Sequence, residues 1–142
     1  MTTSKVLTTL PLFLIASCQA TESDTNTVFK CYVDNPAPIY VVASKMGNTY
    51  ALTHFEHPKL KLDIGSTADS VNKSSYHRAL VSEHSMHFSY DENKVVISDY
   101  HSEELGTLTQ EYSVTFTQGD NKQYWLCNDK SESTLPAIED FD

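Results

Sequence analysis

Glycine is scarce, with four scattered through 142 residues. No glycine-rich loop is present to cradle a phosphate, which excludes the nucleotide-binding classes built on one. Positive charge is short as well. Ten Lys and Arg face 19 Asp and Glu, leaving a formal charge of −9. Such a surface repels a nucleic-acid backbone, so nucleic acid is not an expected partner, and it attracts a basic protein. Cysteine occurs three times without a CxxC pair, so the dithiol redox motif and the zinc sites built on that spacing are absent. No apolar run approaches the ~20 residues that span a bilayer. There is no repeat or low-complexity tract, and no nucleophile-elbow pattern surrounds a serine. The expectation is a non-enzyme with no catalytic residue and no cofactor.

What is present suits one folded domain, with 39% hydrophobic and 11% aromatic residues. The first segment reads as a signal peptide. Lys5 is its positive end, Val6 to Ala16 its apolar run, and small residues follow. The sequence Ile15-Ala16-Ser17-Cys18 resembles a bacterial lipobox. That resemblance implies cleavage before Cys18 and acylation, palmitate included, of its thiol and new amino group. Several acyl chains together anchor a protein stably in a membrane. Gln19 after the cysteine implies the outer membrane, facing the periplasm. The alternative is an ordinary secretory signal cut after Ala20, leaving a soluble periplasmic protein. With Cys18 lipidated, Cys31 and Cys127 remain as a pair, and an oxidising compartment permits a disulfide between them. Two buried free thiols are the other option.

The chain divides into a lipoprotein signal peptide (1–17), a polar tether (18–27), a body (28–128) and an acidic, mobile tail (129–142) with Ile138 and Phe141 as possible docking points. Within the body the dominant period is two. Phe29, Cys31 and Val33 share a face, as do Ile39, Val41 and Ala43, and then Tyr50, Leu52 and His54. Leu60, Leu62 and Ile64 alternate with Lys59, Lys61 and Asp63. Met86, Phe88 and Tyr90 follow, then "VVISDY", then Tyr112, Val114 and Phe116, and last Trp125 with Cys127. Turn sequences "KMGN", "DENK" and "QGDNK" separate them. This pattern predicts an all-β domain. The expected form is a small antiparallel β-barrel or tight sandwich of about seven or eight strands, stapled by a disulfide between the first and last strands. Two stretches read as irregular: 65–85, whose first half reads as a loop and whose "YHRALVSE" reads as a helical turn or a further strand, and the loop "HSEELGTLTQ" at 101–110. Long loops in compact domains are often functional.

The order of lipobox, "FKC" strand, "GNTYAL" hairpin and closing "YWLC" is similar to small bacterial lipoproteins with the barrel fold of the membrane-bound inhibitors of c-type lysozyme. The resemblance covers most of Val28 to Asn128. It implies a short antiparallel barrel stapled by a cysteine near each end. The inhibitory signature of that family is Ser-x-Ser-Gly-x-x-Tyr. Here "SKMGNTY" supplies Ser44, Gly47 and Tyr50, with Met46 in place of the second serine and in an early hairpin, where Gly47 reads as a turn residue.

Six histidines complete the inventory. "HFEH" pairs His54 with His57 beside Glu56, and "HSMH" pairs His84 with His87 near Glu83. His84 and His87 are the candidate copper or zinc ligands. Residues i and i+3 point to opposite faces of a strand, so such a pair needs a turn between its members. Tyr32, Tyr40 and Tyr100 fall on the outward faces of their strands and are candidates for a binding patch. The expected function is an envelope protein-binding module whose partner is a basic protein, with inhibition of a lysozyme-like cell-wall hydrolase as the leading case. The alternatives are an immunity protein neutralising a toxin delivered to the periplasm and histidine-based metal binding.

Overall fold

A computed structural model describes residues 26–138, except 66. The signal segment, Cys18 and most of the tether lie outside the described residues, as does Phe141. The chain forms β1 (Thr27–Val33), β2 (Ile39–Met46), β3 (Thr49–Glu56), β4 (Ser70–Arg78), β5 (Val81–Tyr90), β6 (Asn93–Ser102), β7 (Thr109–Gln118), β8 (Asn121–Leu126) and β9 (Glu132–Ser133). Two single-turn 3-10 helices, Glu104–Gly106 and Leu135–Ala137, complete it.

The strands build two antiparallel sheets, ordered β3-β2-β1-β9 and β4-β5-β6-β7-β8. One core is shared between them. Phe29, Cys31, Val41 and Leu52 come from the smaller sheet, and Met86, Phe88, Ile97, Val114 and Trp125 from the larger. These are the inward members of the period-two pattern, since successive side chains on a strand point to opposite faces. Two-residue turns join β2 to β3, β4 to β5, β5 to β6 and β7 to β8. The first turn residue has positive φ each time, at Gly47, Ala79, Asp91 and Gly119. Glycine and aspartate suit that geometry.

The barrel expectation is corrected, because neither side is closed by a hydrogen-bonded strand pair. On one side, a strap that includes residues 57–65 leads away from β3 along the core. On the other, the chain leaves β8 and crosses at Cys127 and Asn128. The Cys127 N–H donates to Tyr112 O (2.9 Å), and the Asn128 N–H donates to Tyr32 O (2.7 Å). The Cys31–Cys127 disulfide ties β1 to this crossing, with Cα atoms 5.2 Å apart. The staple therefore joins β1 to the exit of β8, and the last strand is β9.

Three further expectations change. Residues 59–64 do not form a strand. Leu60, Leu62 and Ile64 do pack on the core while Lys59, Lys61 and Asp63 stay exposed. Alternation reports a covered face, whereas a strand also needs a neighbour for its amides. Here His57 Nδ1 accepts the N–H groups of Lys59 (3.0 Å) and Leu60 (2.9 Å). In the stretch 65–85, "YHRALVSE" takes the strand alternative, as the turn and flanking strands of the β4–β5 hairpin, and the first half, expected as a loop, is β4 from Ser70 onward. β4 is an edge strand whose outer side faces solvent, so it needs few apolar residues. Lys73 turns inward on it, with its ammonium 5.9 Å from the Tyr50 ring centre; an inward charge on an edge opposes pairing with another chain. Finally, the tail expected to be mobile from residue 129 pairs and packs well before Ile138, the docking point expected among the described residues. β9 pairs with β1, Ser131 and Leu135 are buried, and Ile138 packs on the core.

Candidate protein-binding end

The β4–β5 turn and the loop after β6 meet at one end of the five-stranded sheet. The Glu103 N–H donates to Leu80 O (2.8 Å), and the Thr107 N–H donates to Glu104 O (3.1 Å). Three large apolar side chains stand out here, Leu80, Leu105 and Leu108, and Leu105 is fully exposed. Its backbone is left-handed, with φ 58°, and Gly106 follows at 71°. A leucine disfavours that region through its Cβ, at a cost of order 1–3 kcal/mol. A strained, wholly exposed leucine between Glu104 and Gly106 is a feature that packing within the domain does not require. Such strain clusters at functional loops. Glu103 and Glu104 precede it with negative charge, and Arg78 lines the same end.

Beneath this tip the core-facing side of the larger sheet turns polar. Ser82, His84, Asp99, His101 and Gln110 continue the rows that hold Met86, Ile97 and Val114 further down. A cleft of about 350 Å3 opens here between His77, Ser82, His101 and Glu103, among others. His101 Nε2 lies 3.7 Å from Glu103 Oε1. The rings of His77 and His84 meet edge to face at 5.3 Å.

Asp99 sits at the boundary between polar end and core. It is 1% exposed, with His84 opposite it on β5 and Tyr112 opposite it on β7. Neither carboxylate oxygen makes a hydrogen bond of good geometry. Burial pushes this carboxyl above its ordinary range. The proximity of Ser133, Gln110, His84 and His101 offsets that only in part. Burial lowers His84, His77 lowers it further, and Asp99 opposes both. Burial raises the Tyr112 phenol, as do Asp99 and Glu132.

This arrangement has a pH signature. A carboxyl whose folded pKa is raised binds its proton more readily folded than unfolded. Its contribution to stability therefore improves as pH falls from above the folded value toward 3.8. The variant Asp99→Asn is expected to exceed the parent by roughly 1–3 kcal/mol at pH 8, with the gap closing as the carboxyl protonates. Asp99 also acts on His84, so the comparison is repeated in a His84→Gln background, where that imidazole is absent from both proteins. Urea melts at several pH values measure the gap; a gap that stays constant with pH would refute the buried charge.

The residues singled out in the sequence are dispersed. His84 faces the core side of β5 and His87 the outer side, so they do not share a metal. The strand runs straight between them, as the i, i+3 rule requires. Among the described residues, no three His, Cys, Asp or Glu side chains group to hold a metal ion. His54 lies near Tyr40 on the outer side of the small sheet, with ring centres 5.5 Å apart. His57 packs at 5.1 Å from Trp125 and binds the strap; burial and then Lys59 lower its pKa. Tyr32 and Tyr40 stack at 4.6 Å, while Tyr100 belongs to the other sheet, so the three form no single patch. Ser44 is buried and its hydroxyl lies 3.4 Å from that of Thr53. Tyr50 packs on the core, and Gly47 is the turn residue it reads as.

The 101–110 loop was legible as a long connection. Its partner Leu80 was not, because only strand register brings residues 80 and 103 together. Asp99 was also missed; it breaks the apolar period in "VVISDY", and that break was its one signal. Compared with protein-family models, curated proteins and solved structures, the chain matches none.

Proposed function

We propose that this chain is a lipid-anchored module of the bacterial envelope, held at the outer membrane through Cys18, that captures a basic protein at its leucine-tipped acidic end. A lysozyme-like cell-wall hydrolase is the leading target. The observation that carries the reading is Leu105, fully exposed and left-handed directly after Glu103 and Glu104. An apolar anchor with a charged rim is the usual anatomy of a binding hot spot. The acidic excess favours encounter with a cationic partner and makes capture salt-sensitive. Loss of the signal segment removes Lys5 and takes the formal charge from −9 to −10. The disulfide fits an oxidising compartment.

Titration against a panel of lysozymes tests the reading. The chain should slow cell-wall lysis at a near-stoichiometric ratio, and added salt should weaken the effect. Leu105→Asp should weaken inhibition about thirtyfold, the effect of losing a ~2 kcal/mol hot spot, with melting temperature unchanged. No inhibition across the panel would remove the hydrolase assignment. Inhibition that Leu105→Asp leaves intact would move the site away from this end.

A further inference from the structure

The outer side of the five-stranded sheet carries a cleft of about 480 Å3 that the protein-binding end does not use. Strand register lays its walls out in rows. Ser74, Ser85 and Ser98 cross its floor on neighbouring strands. Their hydroxyls are organised by their neighbours. Ser85 Oγ donates to Glu83 Oε1 (3.3 Å) and lies 2.8 Å from Ser98 Oγ. Having given its single proton to Glu83, Ser85 accepts from Ser98. Ser74 Oγ lies 3.3 Å from His87 Nε2. Burial and Lys94 lower the pKa of that imidazole, against the opposing pull of Glu83, and so favour its neutral form. Sites held on strands in this way are more exact in geometry than sites on loops.

Charge is divided along the cleft. Lys94 on β6 and Lys122 on β8 both pair with Thr117 of β7, one from each side. Their stems stand two strand spacings apart, about 10 Å. Glu83 lies toward the opposite end. On a chain of formal charge −9, this is a local cationic pair, and screening over ~8 Å separates it from distant carboxylates. Tyr76 lines the cleft, and Tyr124 stands opposite Thr115 beside it; both rings are exposed. A ring face is electron-rich and suits the C–H face of a pyranose.

We propose that this cleft binds an acidic saccharide, its hydroxyls met by the serine floor and His87 and its carboxylate or phosphate held between Lys94 and Lys122. The proposal does not depend on the leucine tip, which lies beyond the Glu83 end of the cleft and away from the two lysines. Titrating the 15N-labelled full-length chain tests it, using tetragalacturonate, glucose 1-phosphate, maltotetraose and inorganic phosphate in parallel. The expected result is saturable shifts at Ser74, His87, Ser98 and Thr117 with an acidic sugar. Tighter binding of the galacturonate identifies a carboxylate source, and tighter binding of the sugar phosphate a phosphate source. The double variant Lys94→Glu, Lys122→Glu should bind at least about tenfold more weakly, since each charge-assisted contact is worth about that factor. Both lysines are exposed. Should charge reversal impair folding, Lys94→Gln with Lys122→Gln gives the same reading. Equal binding of maltotetraose, equal binding of inorganic phosphate alone, absence of shifts, or a folded variant of undiminished affinity would each overturn the proposal.

Discussion

Replacing both Cys31 and Cys127 by alanine is expected to lower stability by about 4–5 kcal/mol, the largest effect of any change considered. The bond spans 96 residues of sequence, and in the chain-entropy model a loop that long restricts the unfolded state by about that amount. Its position adds to the argument. β1 lies between β2 and β9 in one sheet, and Cys127 directly follows β8 in the other. Without the bond, the two sheets are held on that side by packing and by the crossing hydrogen bonds of Cys127 and Asn128. For a domain of this size the loss corresponds to a fall of roughly 15 °C or more in melting temperature. Thermal melts with and without reductant, and of the double variant, measure it. A change below about 1 kcal/mol would mean that the unfolded chain is already restricted or that the bond is strained.

Leu135→Ala is expected to cost about 2–5 kcal/mol, the range for a large aliphatic side chain removed from a core. Leu135 has no exposed surface and belongs to the shared core cluster. It is held there by a local lock. The Thr134 N–H donates to Val28 O (2.9 Å), and the Tyr32 N–H donates to Ser131 Oγ (2.9 Å). Between them β9 pairs Ser133 with Phe29 and Glu132 with Lys30. The segment thus supplies β1 with its second neighbour and covers the core beside β5 and β6. Urea melts should show a lower midpoint with an unchanged slope. Amide exchange at Lys30 and Tyr32, whose N–H groups face this segment, should quicken as β9 loosens. A stability change within about 0.5 kcal/mol, the range of surface substitutions, would show that the segment only decorates the surface.

The tail misled the sequence reading for a physical reason. "DKSESTLPAIEDFD" is polar, acidic and broken by Pro136, which is the composition of a solvated segment. Docking needs only one apolar side chain and a free strand edge. Leu135 supplies the first, and β1 the second. The strap failed in the opposite direction. "KLKLDI" alternates as cleanly as any strand here, yet it pairs with nothing, because periodicity records which side is covered and is silent about what covers it. β4 was hidden because an edge strand with a solvent face tolerates Ser, Asn and Lys throughout.

Sequence alone determined the all-β class, most strand positions, most inward residues and the cysteine pair, because these follow from period-two alternation and a count of thiols. His54, aligned with Leu52 by that alternation, faces outward and Phe55 inward because the β2–β3 register shifts between Val42 and Ala43. The division into two sheets, the docking of β9, the meeting of Leu80 with the 103–108 loop, the burial of Asp99 and the separation of His84 from His87 were decided only in the tertiary structure. Each depends on which strand edges find each other, and that is set by the joint packing of side chains far apart in the chain.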